Sequence, residues 1–246
     1  IALPNVNGYS GYQEKYNSLG LVKTKIYLDE TLAPIQGENL VSRLSFKYNR
    51  IGLLTQITSL NYHGKLVKYH DWSCAIHEIK YNQNFQKTYE SCLDSNQELT
   101  PYKPAVTGRL ASIEYQIDSF NNLKKITFFD ELDDPTMLPG AYFSGMKKEF
   151  DQQGRPTLEL MLGVHGTPIT HAFCDYKCAG AKYSYDDSLN QSTIVYLDAS
   201  KNPVSIEKTG EAGRKSIYDE YGNAVKTVFL GTDEKPMINY ELGFAG

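Results

Sequence analysis

The sequence predicts an all-β chain: about seven tandem antiparallel hairpin repeats of roughly 33 residues, forming an open or spiralling solenoid-like sheet. A seven-bladed β-propeller is the alternative. Three observations carry this reading. A large residue followed by Asn or Asp recurs at a near-constant period, each copy holds two turn signals, and the chain has 19 tyrosines against one tryptophan. Half-buried tyrosines suit a pleated surface, where the ring packs while the hydroxyl stays wet.

The repeat frame is set by Tyr16, Tyr48, Tyr81, Ile117, Phe150, Tyr185 and Tyr218, taken as position 0, with steps of 32, 33, 36, 33, 35 and 33. Position 1 is always Asn or Asp: Asn17, Asn49, Asn82, Asp118, Asp151, Asp186 and Asp219. Position 4 is Gly20, Gly52, Gly154 or Gly222 in four copies and Asn121 in another. An Asx side chain that bonds its own backbone two residues on, with a glycine supplying positive φ, is hairpin-turn chemistry. It ends the first strand of each repeat.

The second strand follows, as in Val225–Leu230, Ser192–Leu197 and Lys124–Phe129. It closes on a large apolar residue at position 12: Leu28, Leu60, Leu93, Phe129, Leu162, Leu197 or Leu230. A second turn comes near position 14. Proline at position 18 (Pro34, Pro135, Pro168, Pro203, Pro236) then opens a short third strand where its missing N–H is tolerable. A single hairpin cannot bury its apolar face, so positions 0 and 12 are expected to form a core shared between stacked repeats. The chain reads as one β-repeat domain over 1–246, with repeats starting near 12, 43, 76, 110, 145, 180 and 213, and 1–11 as the tail of a preceding copy. Residues 90–107, with Pro101 and Pro104, read as loop and broken strand.

A propeller blade has four strands and about 40–45 residues, about ten more than each copy here, which favours the open array. The motif Tyr218-Asp219-Glu220-Tyr221-Gly222-Asn223 with Lys235-Pro236 resembles bacterial tyrosine–aspartate (YD/RHS-type) hairpin repeats, and more closely their long-period variants in surface and secreted proteins. The resemblance spans nearly the whole chain and is sharpest in the last copy. It implies a β-rich, extracytoplasmic bacterial array for encapsulation, adhesion or protein contacts, and it transfers no catalytic residue. The copies here are longer than the 21 or so residues of that repeat, and no toxin segment is visible.

Net charge is -4, which predicts neither a nucleic-acid partner nor a basic face for an anionic membrane. No apolar run reaches the roughly 20 residues of a membrane span, and Ile1-Ala2-Leu3-Pro4 does not read as a signal peptide. The four cysteines, Cys74, Cys92, Cys174 and Cys178, permit two disulfides in three connectivities, or none. Hydrolase, P-loop and dinucleotide motifs are absent, and no cofactor is expected. His63, His70 and His77, seven apart with Asp71 and Glu78 alongside, raise a metal or acid–base site, but His63 and His165 both fall at position 15 and read as turn residues. The Asx columns mix Asn, Asp and Gly, and so read as turn caps rather than calcium ligands.

Function is then expected where copies differ. Tyr69-His70-Asp71-Trp72-Ser73-Cys74 holds the only tryptophan, and Tyr69, His70 and Trp72 are the candidate binding residues for a protein or carbohydrate. The expected role is a non-catalytic binding or structural scaffold of a surface or secreted protein. The rival readings are an extracytoplasmic sensor or host-directed effector, and a carbohydrate-active or metal-dependent hydrolase.

Overall fold

The computed structural model describes residues 9–103, 108–138, 140, 142–170, 178–188 and 190–243. Most of the expected leading tail, together with His171 and Cys174, lies outside them. Among the described residues there are fourteen strands and no helix. They form seven hairpins: β1 (Gly11–Tyr16) with β2 (Val22–Leu28), β3 (Arg43–Tyr48) with β4 (Leu54–Leu60), β5 (Ile76–Tyr81) with β6 (Lys87–Leu93), β7 (Ser112–Ile117) with β8 (Leu123–Phe129), β9 (Gly145–Phe150) with β10 (Pro156–Leu162), β11 (Gly180–Asp186) with β12 (Gln191–Leu197), and β13 (Gly213–Tyr218) with β14 (Ala224–Leu230).

The strands hydrogen-bond in chain order within one antiparallel sheet that does not close on itself. Ladders continue from one repeat to the next, as in Lys25↔Leu44, Ile57↔His77 and Glu90↔Ile113, and again in Ile126↔Met146, Glu159↔Ala181 and Thr193↔Lys215. Propeller blades are separate sheets, so this continuity excludes the propeller and leaves the open array.

The first turn follows the Asx chemistry closely. Asn17 Oδ1 accepts from the amides of Leu19 and Leu21, and Asn49, Asn82, Asp118, Asp151 and Asp219 do the same two and four residues on. Positive φ at position 4 is not reserved for glycine: Phe85 (62°) and Asn121 (70°) adopt it too. At the second turn every repeat places position 16 there, and five of these residues are not glycine: Leu32, Gln97, Asp133, Lys201 and Glu234.

The expected third strand shrinks to one bridge per repeat, between positions 12 and 18, such as Leu28↔Pro34 and Leu230↔Pro236. The bridge is the same where position 18 is Leu66 or Leu99, so the missing N–H of proline is tolerated at this position rather than being what limits the pairing. In 90–107, β6 runs unbroken to Leu93, and a regular second turn follows at Asp94–Glu98.

The shared core differs from the expected columns. Position 0 is only half-buried or, at Tyr16, exposed. In three of the tyrosines the hydroxyl has a task of its own. Tyr48 donates to Val22 O at 2.8 Å, Tyr81 to Leu54 O at 2.9 Å and Tyr185 to Pro156 O at 2.9 Å, so each ring bridges back to the preceding repeat. The deepest column is one the repeat frame did not flag, six residues before position 0: Ser42, Ala75, Ala111, Ser144, Ala179 and Ala212, all buried. Each donates its N–H to the position-12 carbonyl of its own repeat, as in Ala75 N to Leu93 O (2.8 Å). In five of them the carbonyl accepts from the preceding repeat, as in Ser59 N to Ala75 O (2.8 Å). One residue later, Gly145, Gly180 and Gly213 have no room for a Cβ, which would strike the backbone carbonyls of Ile126, Glu159 and Ile194.

The described chain divides into two compact units, Ile1–Tyr115 with Phe128–Thr136, and Gln116–Thr127 with Met137–Gly246. The first has a core of Tyr27, Ile35, Leu44, Ile57 and Tyr69, with Val41, Phe46, Leu54 and Trp72 packed against it. The second is built on Leu160, Leu162 and Leu197 with Leu158. Strand residues alternate between faces. Ile57 at position 9 and Leu160 at position 10 therefore lie on opposite faces of their hairpins.

Candidate functional site

The Tyr69–Cys74 segment is a third turn, set between the position-18 bridge and the next repeat. Tyr69 N donates to Cys74 O and Ser73 N to Tyr69 O, both at 2.7 Å, with Ser73 at φ 63°. Leu138–Tyr142 and Ile206–Gly210 close the same way. The Tyr69 turn adds a phenol, an indole and an imidazole to that backbone. Beneath it Cys74 and Cys92, both fully buried, form a disulfide that ties the start of repeat 3 to its second strand. Repeat 4 places buried Leu110 and Phe128 at those two positions, so the covalent bond occupies an apolar site of the frame. Cys178 is also disulfide-bonded.

Tyr69 is 7% exposed, and its hydroxyl lies 3.1 Å from that of Tyr27. Burial, followed by that hydrogen bond, pushes its phenol well above the ordinary tyrosine value. The Trp72 ring sits 4.7 Å from Tyr69, half-buried, and the His70 ring lies tilted against Tyr69 at 4.6 Å while remaining exposed. His70 Nε2 is 3.3 Å from Asp71 Oδ1, both in water, so this pair holds little energy. The three predicted residues thus form one cluster: a buried phenol, a half-covered indole and an exposed imidazole.

The structure extends this cluster inward. Trp72 lies 5.8 Å from His77, which meets Tyr102 edge-on at 5.6 Å. His77 Nε2 is 3.5 Å from Glu90 Oε2. Glu90 also accepts from the Tyr115 hydroxyl and, at 3.1 Å, from Lys87 Nζ. His77, then Tyr115 and Lys87, hold the Glu90 carboxyl down at about 2 against its partial burial. Glu90, Tyr102 and Tyr115 escaped the sequence reading. The signal was present in the register: His77 opposes Cys92, so Glu90 is its diagonal neighbour two residues away.

Among the described residues, His70 and His77 both border the Tyr69–Trp72 cluster, while His63 lines a different feature. His63 lines a depression of about 240 Å³ with Glu38, Asn61 and Lys65 at a second turn, and neither His77 nor Glu90 is among its lining residues. In the second unit a depression of about 570 Å³ is lined by Phe120, Lys124, Glu149 and Asp151 among others. Neither includes Tyr69, His70 or Trp72. Among the described residues no three His, Cys, Asp or Glu side chains are grouped to hold a metal, and no helix is long and apolar enough to cross a membrane.

No protein-family model matches the chain, and no curated protein matches it. Among solved structures it is similar to a chain of the Photorhabdus luminescens Tc holotoxin pore carrying a TccC3 mutation, at 10% identity and a TM-score of 0.24, covering 95% of this chain and 13% of that one. It is also similar to a chain of the TcdB2–TccC3 crystal structure, at 9% identity and a TM-score of 0.24, covering 93% and 12%. The chain thus spans about an eighth of the length of either.

Proposed function

We propose that the chain is a non-catalytic repeat scaffold that presents the Tyr69–Trp72 turn as a recognition surface for a carbohydrate or protein. One observation supports this most directly. A common backbone turn carries an aromatic platform here, braced by a disulfide below and by Tyr27 behind. A pre-ordered aromatic surface loses little entropy on binding. The repeated columns are accounted for by turns, splices and packing, which leaves this turn as a place where one copy adds chemistry. The buried disulfide fits an oxidising, extracytoplasmic compartment.

Trp72 is the sole tryptophan, so its emission reports directly on the site. Titration with a panel of neutral oligosaccharides and with candidate partner proteins is expected to shift that emission for one class. Trp72→Phe with Tyr69→Phe is expected to retain the fold and weaken binding at least about tenfold. Binding that survives both substitutions would remove this turn from the reading.

A further inference from the structure

Formal charge hides an asymmetry within the first compact unit. The first turns of repeats 1 to 3, with their flanking strand ends at 15–23, 47–55 and 80–88, contain six basic residues and no acidic one: Lys15, Lys23, Lys47, Arg50, Lys80 and Lys87. All but Lys87 are exposed. Lys87 is held by Glu90, whereas Lys15, Lys23, Lys47 and Arg50 enter no ion pair among the described residues. The second turns, at the opposite end of these hairpins, carry Asp29, Glu30, Asp94 and Glu98 against Lys65. A net charge of -4 therefore coexists with a positive margin, contrary to the expectation drawn from composition.

The same margin is apolar at its tips. Leu19 is 64% exposed, Ile51 48% and Phe85 44%. Each sits at or beside the positive-φ residue of its turn, Gly20, Gly52 and Phe85 itself. Neighbouring hairpins in one sheet are two strand spacings apart, about 10 Å, so the three tips form a row with basic side chains behind it. Isolated exposed apolar residues need no explanation, but a row of them flanked only by cations does.

We infer that this margin docks on an anionic lipid surface. The apolar tips enter the headgroup boundary while Lys15, Lys23, Lys47, Arg50 and Lys80 neutralise the lipid charge. An acidic protein would match the cations, but it would not require three apolar side chains at the outermost points. This inference uses residues separate from the Tyr69 turn and does not depend on that reading.

The test is co-sedimentation of the full chain with vesicles of phosphatidylcholine alone or mixed with phosphatidylglycerol. Binding at low salt is expected to be at least about tenfold tighter on the mixed vesicles and to fall as salt screens the charges. Lys47→Glu with Arg50→Glu should abolish that preference. Leu19→Ser, Ile51→Ser and Phe85→Asn together should weaken vesicle binding several-fold while leaving retention on a cation exchanger unchanged. These positions are exposed, and circular dichroism verifies the fold. As a direct probe, Ile51→Trp in a Trp72→Phe background should shift its emission to the blue on mixed vesicles. Equal binding to both vesicle types would overturn the inference. So would an unshifted emission from the Ile51→Trp probe together with apolar variants that bind like the parent, and the margin would then belong to a polyanionic or protein ligand.

Discussion

The hydroxyl of a position-0 tyrosine makes a bond that a phenylalanine cannot. Tyr48 and Tyr81 each satisfy a carbonyl of the preceding repeat. Tyr48→Phe or Tyr81→Phe should therefore lower stability by about 1 kcal/mol in denaturant unfolding. Tyr16→Phe should change almost nothing, because Tyr16 is exposed and its hydroxyl reaches the nearby Glu14 rather than another repeat. Ser144 runs the other way. Its hydroxyl is buried with no hydrogen-bond partner among the described residues, at a column that is alanine in four other repeats. Ser144→Ala is expected to be stabilising by up to about 1 kcal/mol, read from the same unfolding curves. Glu90 supplies a pH signature. Its carboxyl is depressed to about 2 from an unfolded value near 4.3. The stabilisation is thus complete above the unfolded value and is lost as pH falls through the folded one, on the order of 2–3 kcal/mol between about pH 5 and 2. Glu90→Gln should flatten the melting temperature across that window, and an unchanged slope would show that other carboxylates dominate.

At the scale of the hairpin, turn geometry and close approach decide what each position tolerates. Leu32 holds a left-handed conformation that glycine adopts without strain. Leu32→Gly is expected to stabilise by about 0.5–1 kcal/mol, since Leu32 is also exposed and gives up little packing. Gly180→Ala should cost about 1–3 kcal/mol, because its methyl would meet the Glu159 carbonyl of the neighbouring strand. These two substitutions separate the two uses of glycine here, one conformational and one steric. Hairpin existence, order and turn positions were legible because Asx-x-x-Gly and proline act locally. The left-handed residues at position 16 were not, because leucine, glutamine, lysine and glutamate there carry no local signature of positive φ. The small column before each first strand was also missed. Alanine and serine are common everywhere, and only the strand pairing shows that this column is buried.

For the whole chain, the period alone carried the architecture, since a repeat that pairs with its neighbours on both sides makes an open sheet unless its ends meet. Periodicity could not show which face packs, because faces depend on alternation within strands, and the apolar side differs between Ile57 and Leu160. Composition also misled. Summing all charges gave -4 and concealed the separation between first and second turns in repeats 1 to 3. The candidate turn at Tyr69–Trp72 was visible as an aromatic departure from the frame, whereas its inner partners Glu90 and Tyr115 needed the register. Reduction of the Cys74–Cys92 disulfide, which spans 18 residues, should cost the first unit about 3 kcal/mol, seen as a lower unfolding midpoint under reducing conditions. Hydrogen exchange should place that loss first in β5 and β6, because repeats couple chiefly to their neighbours.

The small buried residue ahead of each first strand has a consequence for descent. Its N–H and carbonyl join one copy to the next through main-chain atoms alone, as Ala75 does between Leu93 and Ser59. A junction made of backbone asks only that its side chain be small. Unequal crossing-over in the gene can therefore insert or delete a whole copy and leave a compatible joint on either side. Array length is then free to drift, and selection can act on a turn such as the one at Tyr69, where a copy carries side chains of its own.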